Sequence, residues 1–254
     1  VPTWGVVNQK GGVGKTTTSV NLAAGLAERE IKTLLVDCDS QGNATTGLGV
    51  DKAKIQLTIG DLMVSAAEGQ EPEYSKSIIS VSKYLDLIPS STELSGIENA
   101  LNNAIGKESL LASVLAPLTK TYEWIILDSP PSLGLMTINV LSASSDVLVP
   151  MQSEFYSLEG LSQLLRTIQM VQKRINSKLK ISKVLFTMHD PRSKSSQQVM
   201  SEVKEYFGDV LSTIVIPRNV RLSEAPSFGG AAIDIFPTSR GANAYRELVR
   251  EVIK

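Results

Sequence analysis

The stretch QKGGVGKTTT, Gln9 to Thr18, decides how this 254-residue chain folds. Ahead of it, Trp4 to Asn8 reads as an apolar strand; behind it, Val20, Ala23, Ala24 and Ala27 recur at helical spacing. Strand, glycine-rich loop and helix are the setting of a phosphate-binding loop. Its pattern, G-x-x-x-x-G-K-[ST], is met at the end by Gly14, Lys15 and Thr16. Gly11, Gly12 and Gly14 let backbone N–H groups approach phosphate oxygens with no Cβ in the way. The helix N-terminus adds unpaired donors and the positive end of its dipole. Lys15 is expected to reach the β- and γ-phosphates of ATP, and the Thr16 hydroxyl to ligate Mg²⁺. The candidate nucleotide contacts of the loop are Lys10, Gly11, Gly12, Val13, Gly14, Lys15, Thr16 and Thr17.

The opening of the loop departs from the pattern. Its first glycine falls at residue 9, where the chain has Gln9, followed by a second cation, Lys10. Two ammonium groups crowded on one loop repel unless both meet phosphate charge. Lys10 is therefore expected to project across an interface to the nucleotide of a second copy, the lysine counterpart of an arginine finger supplied in trans. The competing reading of such a residue is a solvated surface lysine.

Two further apolar runs close on carboxylates. Thr33 to Val36 leads into Asp37-Cys38-Asp39, then Ser40-Gln41-Gly42-Asn43. Ligands of open α/β sheets bind at strand ends, and strand alternation would put Asp37 and Asp39 on one side. One carboxylate would orient the attacking water and the other hold Mg²⁺ through water. Asp39, nearer the loop, is assigned the water, which leaves Asp37 for the water-mediated metal contact. Trp124 to Leu127 closes on Asp128, a Walker B type of Mg²⁺ partner. Ser129-Pro130-Pro131 then forces the chain out of the strand, and such a stiff segment suits a switch sensing the γ-phosphate.

At 254 residues, 42% hydrophobic and 20% charged, the chain can bury one sizeable core, and a single domain over 1–254 is the simplest count. More apolar runs lie at Leu85–Pro89, Asp146–Pro150, Lys183–Met188 and Thr213–Pro217. Helical patterns intervene at Glu93–Ala104, Ser109–Leu118, Leu158–Ile175, Gln197–Phe207 and Ala242–Ile253. Alternating strand and helix predict a mostly parallel twisted sheet with helices on both faces, a P-loop NTPase fold of the α/β class. Asp51–Lys83 is the least regular region. No apolar stretch approaches the ~20 residues of a membrane span and no signal-peptide pattern opens the chain, so the expected location is cytoplasmic. Cys38, the one cysteine, excludes an internal disulfide or a cluster needing two thiolates per chain; His189, the one histidine, excludes a histidine-rich metal site. Residues 151–254 hold 15 Lys+Arg against 10 Asp+Glu, leaving 10 against 16 in residues 1–150. A modest cationic surface of that kind can bind phosphate backbones without reading sequence, although solvated charge scatter is the commoner origin of such a bias.

NQKGGVGKTTTSVNLAAGLA, VDCDSQGNATTGLG, ILDSPPSLGLMTINVL, VPMQSEFYSLEGLSQLL and VIPRNVRLSEAPSFG resemble the successive landmarks of the ParA/Soj family of DNA-partitioning ATPases. The resemblance runs from about Trp4 to the C-terminus and is to the short, chromosomal Soj-like type, which carries no separate N-terminal DNA-binding domain. It implies an ATP-sandwich homodimer with Lys10 on the opposite subunit's nucleotide and Asp39 assisting water attack. It implies that Pro217 and Asn219 line the adenine. It further implies that Arg192, with Lys194 beside it, and Arg221 bind double-stranded DNA nonspecifically, on the nucleoid. The implied partner is a ParB-type centromere-binding protein that stimulates slow hydrolysis. The sequence departs from the family at Ser40, where proline is usual, which loosens the first switch. HDPRSK also differs from the commoner aspartate-plus-arginine loop around Arg192.

A membrane-cycling ATPase of the MinD type shares the loop and the sandwich but needs a basic amphipathic C-terminal helix. Here AYRELVREVIK puts Tyr245, Leu248, Val249 and Val252 on one stripe, with Glu247 and Glu251 reducing the positive charge, and is expected to pack on the sheet. A small-molecule phosphotransferase would need a lid and an acceptor pocket, and the sequence identifies neither.

Overall fold

The strand that leads into the glycine loop, β1 (Thr3–Val6), lies inside the sheet and is buried along its whole length. The computed structural model describes residues 1–154, 157–190 and 194–254, without the side chains of 157–159 and 194–195. After β1 come α1 (Lys15–Ala27), β2 (Thr33–Asp37), α2 (Asn43–Gly47), α3 (Ile59–Ala67) and α4 (Tyr74–Ser77). The middle of the chain forms β3 (Ile79–Ser82), β4 (Leu85–Ile88), α5 (Leu94–Leu101), α6 (Leu110–Leu115), β5 (Trp124–Asp128) and α7 (Leu135–Ala143). It continues as β6 (Asp146–Gln152), α8 (Ser157–Arg174), β7 (Lys180–His189) and α9 (Lys194–Phe207). It closes with β8 (Leu211–Pro217), α10 (Val220–Glu224), α11 (Ala232–Ile235) and α12 (Arg240–Val252).

The eight strands lie in the order β3-β4-β2-β5-β1-β6-β7-β8. All neighbours are parallel except β3 and β4. Strands covered on both faces read as near-continuous apolar runs, which is why β5 and β6 were legible in the sequence. β5 shows the division: Ile125 and Leu127 join one core cluster while Ile126 joins the other. The first cluster gathers residues of α3, α6, α7 and α8, the second residues of α1 and α12, so helices cover both faces.

Asp51–Lys83 is more ordered than its sequence implies. It holds α3, opened by a capping box in which Thr58 and Asp61 bond reciprocally, and the short antiparallel edge strand β3. β3 alternates half-buried and exposed positions, carries a register shift between Ser80 and Ser82, and has no continuous apolar run to betray it. The helix expected over Ser109–Leu118 ends at Leu115 and tightens into a 3₁₀ turn over Ala116–Lys120, where Pro117 cannot supply a helical N–H.

Candidate nucleotide site

β1, β2, β5, β6 and β7 run parallel, so their C-terminal ends share one edge, and the glycine loop rises from it. Gly12 and Gly14 take left-handed backbone, φ +72° and +84°, which a residue with a Cβ adopts at a cost. Neighbouring strand ends hold the loop. Thr187 Oγ1, from β7, donates to Val13 O at 2.7 Å, and Gln152 Nε2, from β6, to Gly12 O at 3.2 Å. At the loop's start, Asn8 Oδ1 accepts from Lys10 N at 3.0 Å while Asn8 Nδ2 donates to Pro150 O at 2.8 Å.

The two lysines of the loop part company. Lys15 is 7% exposed, and its Nζ turns back to donate to Lys10 O at 3.1 Å. Burial pushes its pKa down, opposed by the charges of Asp128 and Asp39. Lys10 is partly exposed, and its Nζ pairs with Glu154 Oε2 at 3.0 Å, the side chains being 36% and 55% exposed.

Asp37 and Asp128 end adjacent strands in register, and both are fully buried. Asp128 Oδ1 accepts from Ser19 Oγ at 2.8 Å, and the nearby Thr16 side chain favours the charged form of this carboxylate. Its Oδ2 is buried with no partner among the described residues. Burial pushes the Asp128 carboxyl well above the usual carboxylate range, and the charge of Asp37 adds to the rise. A carboxylate oxygen left bare and penalised in this way, beside a threonine hydroxyl at a loop end, fits a divalent cation.

Asp37 is spent differently. Its Oδ2 accepts from Thr45 N at 2.8 Å and Thr45 Oγ1 at 2.7 Å, and its Oδ1 from Asp39 N at 3.2 Å. A water-mediated metal contact at Asp37 would compete with these donors. Strand alternation does not carry on to Asp39, because β2 stops at Asp37 and the chain turns, with Gly42 N donating to Asp39 O at 2.9 Å. Asp39 instead lines a cavity of about 300 Å³ together with Gly11, Gly12, Gly14, Lys15, Thr16 and Thr17. Gln41, Asn43, Pro131 and Met188 complete that lining. Pro131 thus brings the segment after β5 against the loop.

Beyond Gly14 and Thr17 opens a second cavity of about 430 Å³, with Pro217 and Asn219 in its wall. Asn219 also caps α10, its Oδ1 accepting from Arg221 N at 2.9 Å. Three lining residues were not singled out from the sequence, Thr187, Met188 and Ile216, while Arg218 and Tyr245 join the wall in addition to the surface and packing places read for them. Met188 lines both cavities and is held at φ +51°, an uncommon conformation for a residue with a side chain, and backbone strain of this kind gathers at ligand sites. The only sequence signal for Thr187 and Met188 is their place at the end of an apolar run.

Arg221 is exposed on α10, stacked over the Phe236 ring at 4.8 Å and paired with Glu224 at 2.8 Å. Arg192 lies outside the described residues; Lys194 begins α9, and its side chain lies outside them too.

The family described as AAA domain matches residues 3–181. The sporulation initiation inhibitor protein Soj of Bacillus subtilis is 49% identical over 247 residues, covering 97% of this chain and 96% of its own. The chain belongs to the ParA/Soj family of chromosome-partitioning ATPases. The chromosome partitioning protein ParA of Myxococcus xanthus is 45% identical, over 98% of this chain and 87% of its own. Among solved structures, cobyrinic acid a,c-diamide synthase from Mycobacterium smegmatis with bound ADP and magnesium superposes with a TM-score of 0.85 at 34% identity, covering 100% of this chain and 94% of that one. Membership makes this ParA/Soj-family chain a phosphate-loop nucleotide hydrolase.

Proposed function

We propose that this chain is an ATP-dependent dimerising switch for DNA partitioning. The observation that carries the reading is the contrast between the two lysines: one buried at the phosphate position, the other at the loop mouth, partly exposed and paired only with Glu154. Lys15 and the loop N–H groups hold the phosphates, and the base side lies between Pro217 and Asn219. Thr16 and Asp128 would hold magnesium, which offsets charge on the β- and γ-phosphates. Lys10 leaves Glu154 and contacts the γ-phosphate held by a second copy. Asp39 orients a water for attack on the γ-phosphorus. The new P–O bond forms as the bond to the β–γ bridging oxygen breaks, giving ADP and phosphate. Hydrolysis frees Lys10 from its twin's phosphate and the copies part.

Pairing doubles the cations on one face, Arg221, Arg192 and Lys194 among them, so affinity for nonspecific double-stranded DNA rises in the ATP state and falls with salt. A ParB-type partner would speed an otherwise slow hydrolysis, and DNA binding would place the ATP state on the nucleoid. The C-terminal helix speaks against a MinD-type membrane cycle. Tyr245, Leu248 and Val249 are buried, and Glu251 is tied to Ser212, Thr213 and Lys183, so the stripe is already spent on the sheet. Among the described residues no helix is long and apolar enough to cross a membrane.

Sedimentation and DNA binding with ATP, with ADP, and with Lys10→Ala plus ATP test the proposal. ATP-bound wild type should run as a dimer and bind DNA, and the other two states should do neither. Equal DNA affinity in all three would remove the switch.

A further inference from the structure

The helix that follows Asp128 and its proline pair begins without a cap of its own. Gly134 stands at its N-cap position, no side-chain cap bond is made there, and its first turn holds no acidic residue. Buried N–H groups in a first turn need partners from elsewhere. The partner of Met136 N comes from 38 residues upstream, where Glu98 Oε1 accepts it at 2.8 Å. Glu98 is half-buried on α5. Burial pushes its carboxyl up, the Met136 N–H opposes that, and the charge of Asp39 adds to the rise, so Glu98 stands within the field of the water-orienting carboxylate.

Both ends of this link are tied to switch segments. Just before α5, Ser90 N donates to Thr45 Oγ1 at 3.1 Å, and Thr45 in turn donates to Asp37. Gly60 gives α5 its seat: a Cβ there would lie 2.6 Å from Ile97 Cδ1 and 3.2 Å from Leu94 Cδ1. On the other side, Thr137 Oγ1 donates to Ser132 O at 2.8 Å, so the start of α7 and the segment after Asp128 are bound together.

We propose that Glu98 is a positioning residue for ATP hydrolysis, a strut that holds the segment Ser129–Gly134 at a set distance from the segment carrying Asp39. It does not line the cavity at the glycine loop. The inference rests on the hydrolysis proposed above.

Two mild variants test it. Glu98→Gln keeps the reach and an acceptor oxygen but loses the charge; Glu98→Asp keeps the charge but falls one methylene short of Met136. Loss of one hydrogen bond from the switch should lower kcat about tenfold in Glu98→Asp. KM for ATP should stay within about threefold in both variants, and kcat of Glu98→Gln within about threefold of wild type. Amide exchange at Met136 should quicken only in Glu98→Asp. Wild-type turnover in Glu98→Asp, or a loss confined to Glu98→Gln, would overturn the strut. A wild-type chain without ATP turnover would overturn the hydrolysis itself and the strut with it, whereas an active wild type with unaffected Glu98→Asp sinks the strut alone.

Discussion

The two ends of the glycine loop, from Lys10 to Lys15 five residues apart, live in different physical worlds. At Gly14-Lys15 the backbone is left-handed, the ammonium is buried and its pKa is pushed down, and buried carboxylates stand opposite. At Lys10-Gly11 the side chain is a third exposed, its partner is a surface glutamate, and a Cβ at Gly11 would meet nothing nearer than Pro131 Cβ at 3.9 Å. The inner end is built to be completed by a ligand and is under strain until it is. The outer end costs the single chain little in either position. The proposed move of Lys10 to a second copy requires a weak hold at rest, and an exposed ion pair worth about 0–1 kcal/mol is such a hold.

The largest test of that contrast is Lys15→Ala. Losing charge-assisted bonds to phosphate should weaken ADP binding by about 2–3 kcal/mol, roughly a hundredfold, in a fluorescent-nucleotide titration. Lys10→Ala in the same titration should change ADP affinity of the lone chain by no more than about threefold, since its pair is a surface one. Equal losses would erase the distinction between the two ends.

Next comes pH. Asp37 and Asp128 have folded pKa values raised above the unfolded value of about 3.9, so the folded chain binds more protons than the unfolded one. The stability they contribute is full below that value and lost as pH rises toward neutrality. The nucleotide-free, metal-free protein should lose stability over that window in urea titrations. Asp128→Asn should flatten the slope, and magnesium at neutral pH should recover part of the loss. A slope of the opposite sign would show that the carboxylates are not strained.

Backbone strain gives a smaller effect. Gly14→Ala, at φ +84°, should cost roughly 1–2 kcal/mol in thermal unfolding, whereas Gly11→Ala should stay within about 0.5 kcal/mol. The smallest effect belongs to Glu154→Gln, which breaks the Lys10 pair and should shift stability by less than about 0.5 kcal/mol. A larger shift would mean that the outer lysine is a structural anchor after all.

Much of the site was legible because its residues are local to recognisable strand ends. Gly14, Lys15 and Thr16 follow β1 directly, Asp39 lies just past β2, Asp128 ends β5, and Pro217 ends β8. Each sits where an apolar run stops, and a parallel sheet brings such stops to one edge. Asp37 shows the limit of that logic. It stands at a strand end like Asp128, yet its oxygens are taken by Thr45 and Asp39, a turn geometry that alternation does not encode. Glu154, Gln152, Met188 and Glu98 carry no local signal; what they touch comes from parts of the chain 36 to 144 residues away.

The amino-acid order alone determined that a strand, a phosphate loop and a helix occur in succession and that later apolar runs end in carboxylates. These are properties of neighbours along the chain, governed by side-chain periodicity and by where glycine and proline stand. Only the tertiary structure decided which carboxylate is bare and which is satisfied, and that Lys15 is buried while Lys10 stays partly exposed on Glu154. It also decided that Glu98 supplies the missing cap of α7. Those outcomes depend on burial and on which distant polar groups meet, and both are fixed by the strand order β3-β4-β2-β5-β1-β6-β7-β8 rather than by any segment read by itself.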